Sequence, residues 1–423
     1  MSGGGPPSGF AAPDLAGEAA VAVAVSGGGD STALLLAVHE ELSRANIAPR
    51  LIALTVDHGL RPDSAAEARS VAALCARLGL AHRTLGWTGP KPRTGVADAA
   101  RLARHRLLSE AARAAGARIV LTGHTADDQA ETVAMRGQRG AGPGMAGIAP
   151  ATLFARSVWF VRPLIAARRD DLRSWLAARG AGWIDDPSNI DPARERARAR
   201  AMLARSGETD RLIAMADAAG VARRALMDRA AALIDANAST PSPGLARLDP
   251  ALFADAKAAT EALRLVAACV GGLARPPGSD RTETLVRRVA AGESLRATLG
   301  RCVIDASAKG VFLHREWRDG GPAAIDWVAG AAFDGRFQAG PDRPGLRIAA
   351  AGDDAVAGNG RLADAAARAE PVDRQAGLVR LISPFALFLP DFDIAAANAL
   401  ARLFDAPPFP PSPWRSRNGG VLS

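Results

Sequence analysis

Residues 22–40 read AVAVSGGGDSTALLLAVHE. An apolar run of β type, Val21–Val25, passes into Ser26-Gly27-Gly28-Gly29-Asp30-Ser31, and a helical stretch, Ser31–Ser43, opens behind it. Consecutive glycines let backbone N–H groups come close to a phosphate. A helix N-terminus adds unpaired donors and the positive end of its dipole. Ser26 and Ser31 add hydroxyl donors. Asp30 would repel a bare phosphate, so its place here makes sense with a Mg²⁺ between the two. No lysine follows the glycines, which excludes a Walker A loop. Thr32 stands where the dinucleotide fingerprint needs its third glycine. A tight strand-to-helix turn with an N-cap would also use glycine and serine, but it would not call for the acidic residue.

Strand-like and helix-like segments alternate on from this loop. Arg50–Val56 reads as a second strand, Ser64–Leu78 as a helix and His82–Leu85 as a third strand. Asp98–Ala115 reads as a long helix, Ala117–Leu121 as a fourth strand and Asp127–Arg136 as the start of another helix. Such alternation predicts an α/β fold: a parallel sheet with helices on both faces. Ligands in these sheets sit beyond the carboxyl ends of the strands. The loops 26–30, 57–62 and 122–126 all lie there and should converge on one site.

Residues 137–150, GQRGAGPGMAGIAP, hold too many glycines for regular structure. Arg162–Arg179 then reads as a strand end and a helix, Arg194–Arg205 as an arginine-rich helix, and Gly207–Ala236 as helical. Asn237–Gly244 (NASTPSPG) reads as a linker. Residues 248–300 read as mainly helical, and shorter apolar runs beyond 300 as a small α+β region. The expected division is a disordered lead at 1–17, a nucleotide-binding domain at 18–205, a helical region at 206–300, an α+β domain at 301–410 and a flexible tail at 411–423.

The whole chain is 423 residues, enough for two to three domains and for cores that need no metal or disulfide staple. Its three cysteines, Cys75, Cys269 and Cys302, form no paired motif, so a reducing cytoplasm is the expected setting. No apolar run reaches the ~18 residues of a membrane span. The first twenty residues carry no secretory signal pattern. Net charge is +8, and lysine occurs only at Lys91, Lys257 and Lys309, so the positive charge is nearly all arginine. Residues 1–200 hold 25 Lys+Arg against 19 Asp+Glu; the remainder holds 27 against 25. The basic surplus therefore lies with the glycine loop and points to a polyanionic partner there.

Several side chains then gain a chemical reading. In Gly123–Thr132 (GHTADDQAET), Asp127, Asp128 and Glu131 cluster at a helix start, with Asp127 and Glu131 four apart on one face. Acidic residues also favour helix N-termini for the dipole alone. Asp127 is the first choice to complete a Mg²⁺ shell with Asp30. His124 sits in the preceding ligand-side loop. Arg101 and Arg104 share a helical face and could neutralise charge on a reacting phosphate, or could form a solvated basic face.

SGGGDS resembles the pyrophosphate loop of the N-type ATP pyrophosphatases, which cleave ATP between the α and β phosphates. Four further stretches resemble the tRNA(Ile)-lysidine synthases within that superfamily: Val56–Ser64 (VDHGLRPDS), Ala97–Leu108 (ADAARLARHRLL), Leu121–Arg136 (LTGHTADDQAETVAMR) and Arg162–Asn189, from RPLI to DPSN. The resemblance covers about residues 18–200. His105 departs from it where the family carries an aromatic, and Ala197 where it carries an asparagine.

The resemblance implies that ATP is held by Ser26, Gly27, Gly28, Gly29, Asp30, Ser31, Asp57 and His58. It implies catalytic work for Asp30, Arg104, His124, Asp127, Asp128 and Glu131, with Mg²⁺ on Asp30 and Asp127. Arg136, Arg139, Arg196 and Arg200 are the implied tRNA contacts. The implied reaction joins free lysine to the wobble cytidine of a CAU-anticodon tRNA(Ile) through an adenylated intermediate. A homodimer is an assembly to be tested. The alternatives are a tRNA thiolase, which would need paired cysteines, and a small-molecule ligase or amidotransferase, which would need an ammonia source. A third is a tRNA-binding protein with a relict loop, which would not need to keep Asp30 and the acids.

Overall fold

The computed structural model describes residues 5–15, 17–45, 50–59, 64–89, 91–138, 140, 143–185, 191–355, 360–372 and 377–414. They form two compact units, one of residues 1–222 with 412–423 and one of residues 223–411.

In the first unit β1 (Ala20–Ala24), α1 (Gly29–Ala45), β2 (Arg50–Asp57), α2 (Ser64–Arg77) and β3 (Ala81–Gly86) follow in turn. α3 (Val96–Ala114), β4 (Ile119–Thr122), α4 (Ala126–Gly137), β5 (Ala151–Phe154), β6 (Val158–Val161), α5 (Arg169–Ala177) and α6 (Glu195–Ser206) complete it. The strand order is β5-β6-β4-β1-β2-β3. Every pairing is parallel except β5 with β6. This is the α/β arrangement expected from the alternation.

β1 is buried along its whole length, as a central parallel strand covered on both faces should be. Its neighbours are β2 on one side and β4 on the other. The chain order reverses there, so the crevice beyond the ends of β1 and β4 is the switch point where ligands bind. Leu34, Leu35 and Leu54 are fully buried around it. Each expected element is present, with ends shifted by one or two residues.

A second cluster packs Ala130 and Val133 of α4 against Leu203 of α6 and against Leu212 and Ala216 of α7 (Thr209–Asn237). It brings the arginine-rich helix onto the acidic one. Ala197 and Ala199 are buried, so alternate alanines face inward while Arg196 and Arg200 share the side towards α4. Near the N-terminus, Ala11 N–H donates to Pro163 O at 2.9 Å and Trp175 Nε1 donates to Gly5 O at 3.1 Å.

The second unit is built on an antiparallel sheet. β7 (Ala238–Ser242), β8 (Leu245–Leu248), β9 (Leu295–Leu299), β10 (Cys302–Ser307) and β11 (Gly310–Arg315) take the order β7-β8-β11-β10-β9. α8 (Ala256–Gly271) and α9 (Ser279–Ala290) lie between β8 and β9 in sequence. The linker reading of residues 237–244 is corrected: they hold an edge strand and its turn, paired with β8. Polar residues and Pro241 suit an edge, where one side needs no ladder, and that composition imitates a linker. The helical reading of 248–300 likewise misses β9. The sheet continues across position 300 through the pairing of β9 with β10.

Candidate active site

The glycine loop closes on itself. Ser26 N–H donates to Ser31 Oγ at 3.1 Å, and Ser31 Oγ donates to Gly28 O at 3.0 Å. Thr32 N–H donates to Gly28 O at 3.0 Å, which starts α1. Gly27 holds a left-handed φ of 89°, where a side chain would be strained. Its carbonyl accepts Ile184 N–H at 2.9 Å, so a segment far along the chain braces the loop. Gly123, at the end of β4, is needed for a different reason. A Cβ there would lie 2.9 Å from Asp30 O.

α4 begins beside this loop with a capping box. Asp128 N–H donates to Thr125 Oγ1 at 3.4 Å, and Thr125 N–H donates to Asp128 Oδ2 at 2.9 Å. Such caps stabilise by about 1 kcal/mol. Asp128 is thus committed to the helix start through one oxygen. Its other oxygen accepts Arg169 Nη2 at 3.3 Å.

Arg169 is the residue that gathers the acids. Its guanidinium also meets Asp30 Oδ2 at 3.3 Å and Glu131 Oε1 at 3.2 Å, and its backbone N–H donates to Asp127 Oδ2 at 2.8 Å. Burial alone would lower the Arg169 pKa, but Asp128, Glu131, Asp30 and Asp127 raise it further than burial lowers it. Asp127 Oδ1 pairs with Arg168 at 3.5 Å, and Arg168 also meets Asp210. Glu131 is 2% exposed and lies 2.8 Å from Arg200 Nε and 3.2 Å from Arg196 Nε.

Arg168 and Arg169 belong to this cluster, and the sequence reading gave neither of them a role. The available signal was their position. Two arginines open α5, where the helix dipole disfavours cations. Their partners are the carboxylates of α4.

Asp30 is the least well compensated of the four acids. Burial pushes its carboxyl up to about 6, against the pull of Arg169, with Asp128 and Asp127 adding repulsion. It remains 24% exposed.

On the other side of the site the charge is positive. The guanidinia of Arg101 and Arg104 make no hydrogen bond or ion pair with the described residues. Burial lowers the pKa of both; Arg196 adds to the effect on Arg101, and Arg101 to that on Arg104. His124 accepts or donates with Thr122 Oγ1 at 3.1 Å. Burial, then Arg162, Arg104, Arg196 and Arg101, hold its pKa well below the ordinary imidazole value, so the ring is neutral at neutral pH. His58 is lowered by burial and by Arg104, and its Nδ1 is buried without a partner. His124 thus lies within electrostatic reach of Arg101 and Arg104, and His58 within reach of Arg104, a grouping that suits an anion.

His105 explains how the family's aromatic position is filled here. Its ring lies 4.6 Å from Phe160 and 5.6 Å from Phe154, centroid to centroid, and Nδ1 meets Arg101 O at 2.8 Å. It packs as an aromatic would. Asp57 has a local role, since its Oδ1 accepts Gly59 N–H at 2.8 Å. Hydrogen bonds from Ser64 and Gly59 hold it below the usual carboxylate range.

Among the expected tRNA contacts, Arg136 braces the glycine-rich segment, donating to Gly144 O at 2.9 Å and Gly147 O at 2.7 Å. Arg196 and Arg200 converge on Glu131. Arg139 and the Asp186–Asn189 turn lie outside the described residues.

A family model described as a PP-loop domain matches residues 9–206. The tRNA(Ile)-lysidine synthase of Mesorhizobium japonicum is 47% identical, over 92% of this chain and 93% of that protein. Those of Rhizobium meliloti and Methylobacterium nodulans are 41% and 43% identical, over 78% and 70% of this chain and 75% and 90% of theirs. The loop at the switch point, the acids of α4 beside it and this likeness along most of the length agree: the chain belongs to the ATP-using tRNA(Ile)-lysidine synthase family of PP-loop enzymes.

Proposed function

We propose that this enzyme joins the ε-amine of free lysine to the wobble cytidine of a CAU-anticodon tRNA(Ile), changing its codon from AUG to AUA. The observation that carries this reading is the glycine loop at the β1–β4 crevice, with Asp30 joined through Arg169 to the acids of α4. The loop 26–31 holds the pyrophosphate portion of ATP through backbone N–H groups, the start of α1 and the Ser26 and Ser31 hydroxyls. The cytidine 2-carbonyl oxygen attacks the α-phosphate, and pyrophosphate leaves. Arg104 and Arg101 neutralise charge growing on that phosphate, while His58 and neutral His124 offer hydrogen bonds without adding charge. The lysine ε-ammonium passes a proton to a neighbouring carboxylate, Asp128 or Glu131, and the freed amine attacks the activated carbon; the bond from that carbon to the AMP oxygen breaks and AMP departs.

A divalent ion fits this donor set. Burial raises the Asp30 pKa more than Arg169 lowers it, so further positive charge there would favour the carboxylate. Asp30 and Asp127 would hold Mg²⁺. No group of three or more metal-ligating side chains converges among the described residues. Bound there, the ion would neutralise charge on the leaving pyrophosphate. Asp127 has first to give up its contacts to Arg168 and Arg169.

The Arg169 guanidinium marks a point where Asp30, Asp128 and Glu131 together stabilise a cation, so the lysine ammonium belongs beside it. Asp128 and Glu131 hold that ammonium through charge before one of them takes its proton. Arg196 and Arg200 meet RNA phosphates through whatever capacity Glu131 leaves, and Arg136 acts by shaping the segment it braces. A reducing cytoplasm and a homodimer complete the proposal, the latter testable by sedimentation.

A thiolase reading is disfavoured by the cysteines. All three are buried, and burial raises Cys75 above its ordinary value and Cys269 up to about 12. A sulfur carrier needs a thiolate.

The test is incubation with ATP, Mg²⁺, labelled lysine and a CAU-anticodon tRNA transcript. Label in the tRNA is the expected result. Folded, ATP-binding protein that transfers no label would overturn the reading.

A further inference from the structure

The second unit holds a polar cavity of about 590 Å³ whose lining residues all fall between positions 296 and 368. That volume is in the range of small-molecule sites. Its floor is one face of the β9-β10-β11 sheet. Thr298 pairs with Val303, and Val303 with His314, so the three form a cross-strand row, and all three line the cavity. Trp317, Arg296 and Arg368 stand at the same cavity.

His314 is the informative member. It is 5% exposed, and its Nε2 has no partner. Its Nδ1 lies 3.2 Å from Arg315 O, an acceptor only, so Nδ1 carries the proton. The ring is neutral, because burial lowers its pKa more than the Arg315 carbonyl and Asp305 raise it. Nε2 is therefore a bare, buried acceptor, and leaving such a group unmatched is unfavourable. A simple anion would leave it unmatched. The cavity asks for a ligand with a hydrogen-bond donor for His314, a flat face for Trp317 and negative charge for Arg296 and Arg368.

We infer that this cavity binds a nucleotide unit: the base stacks on Trp317, an N–H of its edge donates to His314 Nε2, and the phosphate meets Arg296 and Arg368. The unit is either a free mononucleotide or an unpaired residue of an RNA chain. The pairing of Arg296 with Asp305 at 3.8 Å and of Arg368 with Asp353 at 2.6 Å leaves both guanidinia about half exposed and able to take a phosphate. All the lining residues lie in the second unit, so the site stands or falls apart from the glycine loop.

The test uses the full chain saturated with a non-hydrolysable ATP analogue, which fills the first nucleotide site. Adenosine and guanosine 5′-monophosphates are then titrated by equilibrium dialysis, and a single-stranded RNA hexamer in a parallel arm. A further equivalent of ligand per chain is expected, weakened at least tenfold by His314→Phe, which removes the acceptor but keeps the bulk. Trp317→Ala and Arg368→Ala, at partly exposed positions, should do the same without a core change. Binding of monophosphates alone identifies a small-molecule site; binding of the hexamer, with monophosphates competing, identifies an RNA residue. No ligand beyond the first equivalent, or binding indifferent to all three substitutions, overturns the inference.

Discussion

Two clusters of arginine and carboxylate side chains occur in this chain, one in each unit, and they differ in closure. In the second unit Arg336 is 1% exposed and lies between Asp334 and Glu370, at 2.8 and 2.6 Å. Arg301 and Arg315 hold Asp334 as well, and the Asp334 carboxyl stays below the usual range although burial opposes it. Those charges are matched and sealed. In the first unit Asp30 is pushed the other way, up to about 6, and is partly exposed, while the Arg101 and Arg104 guanidinia have no ion-pair partner among the described residues. Identical chemistry thus builds a brace in one place and an incomplete set in the other. A set left unbalanced next to a phosphate-shaped loop is waiting for charged ligands.

Asp30→Asn should lower ATP-dependent pyrophosphate release on the order of 10³-fold. It should leave the melting temperature unchanged or slightly raised at pH 7, because the charged carboxylate is the unfavourable form there. Loss of folding with loss of activity would show that Asp30 belongs with the braces. Arg336→Met should do the reverse. Stranding two buried acids costs about 3–5 kcal/mol, read as a drop in urea midpoint, with chemistry intact in whatever protein remains folded.

Glu131→Gln separates the two kinds of cluster inside one site. It removes the charge that Arg169, Arg196 and Arg200 share, and lysine transfer should fall about tenfold, the scale of an outer-sphere loss. A lower melting temperature with unchanged transfer would reassign Glu131 to the scaffold. The smallest effect concerns His105, whose pKa burial pushes down to about 4. The unfolded chain protonates its imidazole near 6.5, so folding stability from this residue is full above that pH and is lost as pH falls towards 4. His105→Phe should keep the packing against Phe154 and Phe160 and flatten that part of the stability–pH curve.

The parallel sheet and the crevice beyond β1 and β4 were legible because strand, glycine loop and helix are contiguous, and contiguous pattern is what sequence displays. The acids of α4 were legible for the same reason. Arg169 was not, since it meets Asp30 across 139 positions and only the folded sheet brings them together. The bond between Asp128 and Thr125 was not legible as such, although both ends lie within one short motif. β7 was hidden by a polar edge composition that serves linkers equally well. Arg136 was read for its charge, whereas its geometry places it on two backbone carbonyls.

The bond from Ile184 N–H to Gly27 O has a consequence for how the chain is made. The ribosome releases Gly27 early, but its brace comes 157 residues later. At 5–20 residues per second that interval is roughly 8–30 s. Through that time the nascent glycine loop lacks the contact that fixes it, while free nucleotide in the cell can already reach it. A chain cut short before residue 184 keeps every loop residue and still presents a loop without its brace.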